Sequence, residues 1–285
     1  MTPLQRSRLI ARMFSRPVLE SMARSGSVSS VVESFAKLGV VPRTTGETVG
    51  DLFDAGFKEI GRWYRCEYYY KAVIANRLVY GRHSPKTSSL AIEQGVHDSI
   101  VDAVVFNGTS TAYEIKTEFD SPARLTTQTP AYLRAFDKVN VVTDPHNGER
   151  YKQVLDPRVG VLVLNRDNSL TVLRPAVSDV SRIEPAVVFR MLRRSEYMSA
   201  VQSICGPQPE LPNGMLDAHY RSLFSGFTSE QAHRVLIAAM RARTTGSGVV
   251  SYLRALPTSL RALGYAAPLT LPQRVRLLDC LQTVF

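Results

Sequence analysis

The spacing of apolar and polar positions divides the chain into three zones. Residues 1–60 carry interrupted helical spacing: "SVSSVVESFAKLGVV" and "VGDLFDAGFKEIGRWYR" repeat apolar residues at intervals of three and four, around a turn-forming "PRTTGET". Residues 61–176 change period. A helix, "RCEYYYKAVIANRLVYG", leads into short runs rich in β-branched residues: "SLAIEQ", "DSIVDAVVFNG", "TAYEIKTE", "KVNVVTD", "VGVLVLN" and "LTVLRP". Helical "SPARLTTQTPAYLRAFD" lies between the third and fourth of these. Residues 177–285 return to helices, "AVVFRMLRRSEYMSAVQSI", "SEQAHRVLIAAMRAR", "VVSYLRALPTSLRALG" and "LPQRVRLLDCLQTVF", separated by Pro and Gly. Thr228 and Gln231 have the spacing of a capping box at the start of the second. The pattern predicts an α/β fold whose mixed-sheet core runs α-β-β-β-α-β, between N-terminal and C-terminal helical regions.

Composition adds three constraints. With 285 residues and 44% hydrophobic content the chain can bury a sizeable core, and no apolar run reaches the length of a membrane span, so a soluble, cytoplasmic protein is expected. Cys66, Cys205 and Cys280 are odd in number and far apart, which suits a reducing compartment and matches no zinc spacing. The Arg-rich "RSRLIARMFSR" reads as an amphipathic helix, with Leu9, Ile10, Met13 and Phe14 on one side. A net charge of +10 draws a protein toward polyanions, and nucleic acid heads that class.

Candidate chemistry sits on two of the strands. Side chains alternate across a strand, so Glu114 and Lys116 share one face while Tyr113 and Ile115 share the other. Asn107-Gly108 is a hairpin signal, and pairing symmetric about Gly108 sets Asp102 opposite Glu114. Facing partners have Cβ atoms about 4.5–5.5 Å apart, and like charges at that range destabilise a sheet unless something neutralises them. A hard divalent ion does so: Mg²⁺ commonly takes one or two carboxylates and keeps waters and phosphate oxygens, and Mn²⁺ substitutes for it. Two acids and a lysine around such an ion are sufficient for phosphodiester hydrolysis.

Asp102, an eleven-residue gap, and then Glu114-Ile115-Lys116 resemble the signature of the PD-(D/E)XK nuclease superfamily, which has the restriction-endonuclease-like fold. The wider string "EIKTEFDSPARLTTQTPAYLRAFDKVNVVTD" resembles a bacterial and phage-associated branch of it. The resemblance covers about residues 61–175. It implies a Mg²⁺-dependent endonuclease, cutting DNA above other nucleic acids, in bacterial or phage conflict or DNA processing. Asp102, Glu114 and Lys116 would be catalytic, and Glu67, on the preceding helix, would join Asp102 and Glu114 as metal ligands. Gln128 and Tyr132 match the QxxxY element that lies near the active site in RecB-like members. Pro130 falls between them, so either the helix begins near Thr129 and leaves Gln128 outside it, or it bends there.

Other readings stay beside this one. Glu93 is either a further acid near the site or an exposed edge charge. His97 is either a metal ligand or general base or, more economically, a turn histidine bonded to backbone, and His83, His146, His219 and His233 show no ligand spacing. The tyrosines of "YRCEYYYK" are either a base-stacking surface or core. Residues 178–285 hold twelve Arg, no Lys and seven acids, which suits either phosphate contacts or plain solvation. The alternative to catalysis is an inactive module of the same fold that binds nucleic acid or a protein through its helical regions. Double-strand cleavage needs two active sites, which a homodimer would supply. No P-loop, dinucleotide-binding glycine pattern or serine-hydrolase elbow is present.

Overall fold

The computed structural model describes residues 1–42, 44–120 and 125–284, the side chains of 125–127 excepted. The chain divides into two compact units, Met1–Lys86 with Thr244–Phe285, and Thr87–Arg243. Helices after Pro185 are therefore shared out. Those up to Arg243 belong with the sheet, and the rest belong with the N-terminal helices.

The first unit is helical. It comprises α1 (Pro3–Ala11), α2 (Arg16–Ser25), α3 (Ser29–Lys37), α4 (Val49–Trp63) and α5 (Glu67–Ile74), which widens into a π-helix over Ala75–Arg82. The π turn is a feature that the spacing did not signal. From the far end of the chain come α12 (Ser247–Ala255), α13 (Arg261–Ala266) and α14 (Leu271–Gln282). Capping boxes of Thr2 with Gln5 and Thr48 with Asp51 start α1 and α4 by satisfying backbone N–H groups that have no intrahelical partner. Ile10 and Phe14 are buried as the amphipathic reading expects, but α1 stops at Ala11 and leaves Leu9 36% exposed. Phe14 stacks on Tyr68 and Phe57 on Tyr69, at 5.3 and 4.7 Å between ring centroids. Gly61 is required here, because a Cβ on it would lie 2.6 Å from the Tyr69 ring. Tyr69 and Tyr70 are buried, and the Tyr68 hydroxyl donates to the Ser259 carbonyl. Tyr69 and Tyr70 are thus core, and Tyr68 is half-buried with its ring against Phe14.

The second unit holds a six-stranded mixed sheet in sequence order: β1 (Ser89–Val96), β2 (Ser99–Phe106), β3 (Ser110–Lys116), β4 (Lys138–Thr143), β5 (Gly160–Leu164) and β6 (Leu170–Arg174). The first three strands form an antiparallel meander, β3, β4 and β5 run parallel, and β6 returns antiparallel. Helix α6 (Leu125–Leu133) makes the crossover from β3 to β4, and α7 (Gly148–Val154) the one from β4 to β5. The strands β4 and β5 are almost wholly buried, as expected of parallel strands covered on both faces. Among the described residues a short 3-10 helix (Val180–Arg182) and four α-helices follow: α8 (Pro185–Met191), α9 (Arg194–Cys205), α10 (Asn213–Ser225) and α11 (Ser229–Ala242). Val104, Phe106, Ala112, Tyr132, Phe136, Phe189, Phe224 and Leu236 belong to one hydrophobic core with residues of β4 and β5. Thr228 and Gln231 form the expected capping box of α11. That helix is tied to the sheet by a ring nitrogen of His233, which lies 2.9 Å from the Ser110 hydroxyl. The same hydroxyl accepts the Asp137 backbone N–H at 3.0 Å. No helix among the described residues is long and apolar enough to cross a membrane.

Candidate active site on the β2–β3 hairpin

Ala103 pairs with Tyr113, Val104 with Ala112, Val105 with Thr111 and Phe106 with Ser110, which is the register expected around Gly108. One step further it carries Asp102 opposite Glu114, but there the two strands part. In place of a ladder bond, the Asp102 carboxylate reaches across and its Oδ2 accepts the backbone N–H of Ile115 at 2.7 Å. The Ile100 carbonyl on β2 accepts the Tyr132 hydroxyl at 2.7 Å. Side chains thus take over backbone groups that the separation would otherwise leave unpaired.

Tyr132 enters the opening from α6. Its hydroxyl also lies 3.0 Å from Glu114 Oε2, so a single proton is shared between a backbone carbonyl and a carboxylate. The other Glu114 oxygen, Oε1, accepts the Lys116 ammonium at 2.7 Å, two residues along the same face of β3. Both side chains are largely enclosed, 3% exposed for Glu114 and 13% for Lys116. Burial, and then the negative charge of Glu114 and more weakly of Asp102, push the Tyr132 phenol well above its ordinary range, so it remains a donor.

Glu93 stands in register beside these groups. The pairs on either side, Ile92 with Ala103 and Gln94 with Val101, place it opposite Asp102. Its φ of 54° is left-handed, a conformation that a non-glycine residue adopts at a cost. Glu93 is exposed there on the edge strand β1, so it is an edge charge beside Asp102, whereas Glu114 is buried.

Two further residues answer questions that spacing left open. Helix α6 runs through Pro130, so Gln128 is on the helix, and its Oε1 is buried without a hydrogen-bond partner. An orphaned buried acceptor of this kind calls for a donor. Glu67 is not among the residues that the sheet unit itself gathers. It opens α5 in the helical unit, and its carboxylate pairs at 2.5 Å with the buried ammonium of Lys71 one turn on. Asp120 closes the turn after β3, its Oδ2 accepting both the N–H and the hydroxyl of Thr117 at 2.8 Å.

Asp102 and Glu114 offer hard carboxylate oxygens, the donors that Mg²⁺ takes. Among the described residues no three His, Cys, Asp or Glu side chains are grouped as metal ligands. An ion held here would therefore complete its shell with water and phosphate oxygens, which is how Mg²⁺ is ordinarily bound. The part played by Tyr132 could be anticipated only from the QxxxY spacing, and the shared hydroxyl had no sequence signal.

The family model of bacteriophage P4 protein cII matches residues 62–246. No curated protein and no solved structure matches the chain. The match begins at Arg62 in the helical unit, takes in the whole sheet unit with its hairpin site, and covers well over half of the sequence. The chain belongs to the bacteriophage P4 protein cII family.

Proposed function

We propose that the protein is a metal-dependent nuclease with a restriction-endonuclease-like core of the PD-(D/E)XK type, hydrolysing phosphodiester bonds in nucleic acid, with DNA the first candidate. The observation that carries this reading is the parted hairpin end. There Asp102 accepts the N–H of Ile115, the residue after Glu114, and Lys116 is bound to Glu114, each at 2.7 Å. The α5, β1-β2-β3, α6, β4 succession, with β4 parallel to β3, supports it.

Asp102 and Glu114 would hold Mg²⁺, which supplies positive charge to the phosphate and makes water more acidic when bound. The chain's own groups have separate tasks. The Ile115 N–H fixes Asp102 and the Tyr132 hydroxyl fixes Glu114, so neither carboxylate has to be ordered when substrate arrives. Lys116 orients the attacking water and moves a proton at its oxygen. The enclosure of the pair strengthens these interactions by limiting solvent screening.

A second reading is a nuclease-like module that binds without cutting. One observation favours it: both Glu114 oxygens are already engaged by protein donors. The experiment that separates the two is cleavage of labelled single- and double-stranded DNA with Mg²⁺, run beside Mn²⁺ binding followed by electron paramagnetic resonance. Cleavage and Mn²⁺ binding that both vanish in Asp102→Asn support the nuclease. A wild type that binds DNA but neither takes up Mn²⁺ nor cleaves would establish the second reading.

A further inference from the structure

The excess positive charge is not spread over the chain. Residues 1–86 and 244–285 hold 18 Lys and Arg against 8 Asp and Glu, so the helical unit carries the whole net charge of +10. Residues 87–243 hold 17 of each and are neutral. Arginines of the sheet unit sit against its own acids: Arg134 on Glu184, Arg158 on Asp156 and Arg243 on Glu196. A partner drawn by charge is therefore drawn to the helical unit.

Among its described residues that unit also exposes a large aromatic ring in a basic setting. Trp63, the single tryptophan of the chain, ends α4 and is 43% exposed. The corner that joins α4 to α5 reads Arg62-Trp63-Tyr64-Arg65. Three guanidinium groups lie over rings here: Arg62 over Trp63 at 5.0 Å, Arg8 of α1 over Tyr64 at 5.4 Å and Arg65 over Tyr69 at 5.3 Å. An exposed indole alone would be unremarkable. Set among stacked arginines, on the unit that holds all the net charge, it has the two components of a single-strand binding surface: a π face for a base, and cations for the phosphates beside it.

We propose that the Arg62–Arg65 corner with Arg8 is a binding surface for single-stranded nucleic acid, with the Trp63 indole as its base-stacking platform. A single strand is the fitting partner because its bases can leave one another to stack on the ring, whereas those of a duplex cannot without unpairing. The inference shares only the nucleic-acid class of partner with the proposed hydrolysis. It is read as binding in the absence of divalent metal, so either can fail alone.

Because Trp63 is the single tryptophan, its emission reports on the surface directly. The full chain is titrated at low salt in EDTA with oligothymidylate, with oligouridylate, with a duplex of equal length and with anionic phospholipid vesicles. Expected are saturable quenching by a single strand, weaker duplex binding, and a loss of single-strand affinity of about tenfold or more in Trp63→Ala. Trp63→Phe should recover part of that affinity by keeping a ring, and Arg62→Glu should weaken binding while leaving the indole in place. Circular dichroism confirms that each variant is folded. Unchanged emission at saturation, full affinity in Trp63→Ala, or quenching by vesicles and not by oligonucleotides would overturn the proposal.

Discussion

The Tyr132 hydroxyl lies 3.0 Å from Glu114 Oε2 and 2.7 Å from the Ile100 carbonyl, and so it spans the two arms of a hairpin just where their ladder stops. This contact makes α6 part of the site. It orients a carboxylate on β3 by a bond anchored on β2, and it changes what substitutions at the hairpin should do.

Glu114 is a structural partner as well as a candidate ligand. Removing one of two facing carboxylates ought to relieve repulsion, but here it also strips Lys116 and Tyr132 of their acceptor. Glu114→Ala is expected to lower stability by about 3–5 kcal/mol, the cost of breaking an enclosed pair. Glu114→Gln retains the shape, accepts from Lys116 through its oxygen and offers its amide to the Tyr132 oxygen. It should lose less stability than Glu114→Ala, because only the charge of the pair is removed, yet lose Mg²⁺-dependent cleavage. Urea unfolding and cleavage assays on both variants check the pair.

Tyr132→Phe deletes the shared proton and leaves a buried carbonyl and a carboxylate oxygen each short of a donor. A loss of about 1–3 kcal/mol is expected. Spectrophotometric titration of the wild type should find several tyrosines that do not ionise in the ordinary phenol range while the fold persists, Tyr132 among them because burial and Glu114 oppose it, and Tyr132→Phe should lower their number by one. An unchanged number in Tyr132→Phe would take Tyr132 out of that set.

Lys116→Arg and Lys116→Gln separate charge pairing from chemistry. Arginine keeps the positive charge but is bulkier and almost never releases a proton; glutamine keeps a donor without charge. Both should hold DNA and metal while cleaving roughly 10²-fold or more slowly, as for loss of an acid–base group. Single-turnover rates set beside binding isotherms give the answer. Equal losses in both would make Lys116 an electrostatic anchor.

His233 should give the fold a pH dependence. Burial lowers its pKa below the usual histidine value and nearby Asp137 opposes this more weakly, so the folded state favours the neutral ring against Ser110. The unfolded chain then binds the proton more tightly. Stability from this residue is complete above about pH 6.5 and is lost as the pH falls through the lowered value, by at most about 1.4 kcal/mol per pH unit. Unfolding free energies between pH 7.5 and 5 should fall less steeply in His233→Gln than in wild type.

Local pattern determined much of this architecture. Every strand was legible because β-branched runs end at turn residues. The hairpin register followed from Asn107-Gly108, since a short turn leaves the arms little freedom to slip. Local pattern failed where the signal was short or polar. "GERYKQV" shows no apolar periodicity, yet it forms α7. "NGMLDAHYRSLFS", behind the proline-rich "GPQPELP", forms α10. The run from Ala186 to Ile204 looked like one helix and breaks after Met191, where Leu192 turns extended.

What only the tertiary structure decided is which groups meet. Spacing placed Asp102 opposite Glu114 because register is a property of two neighbouring strands. It could not show that the ladder ends there, that Tyr132 fills the opening, or that Glu67 pairs with Lys71 of its own helix. Nor could it distinguish Trp63 from the tyrosines that follow it: the same helical pattern turned Tyr69 and Tyr70 inward and left the indole in solvent. Charge shows the same division. The total of +10 is a sum over the sequence, but its confinement to one unit arises because the fold joins residues 1–86 to 244–285, and such long-range packing leaves no local mark on the chain.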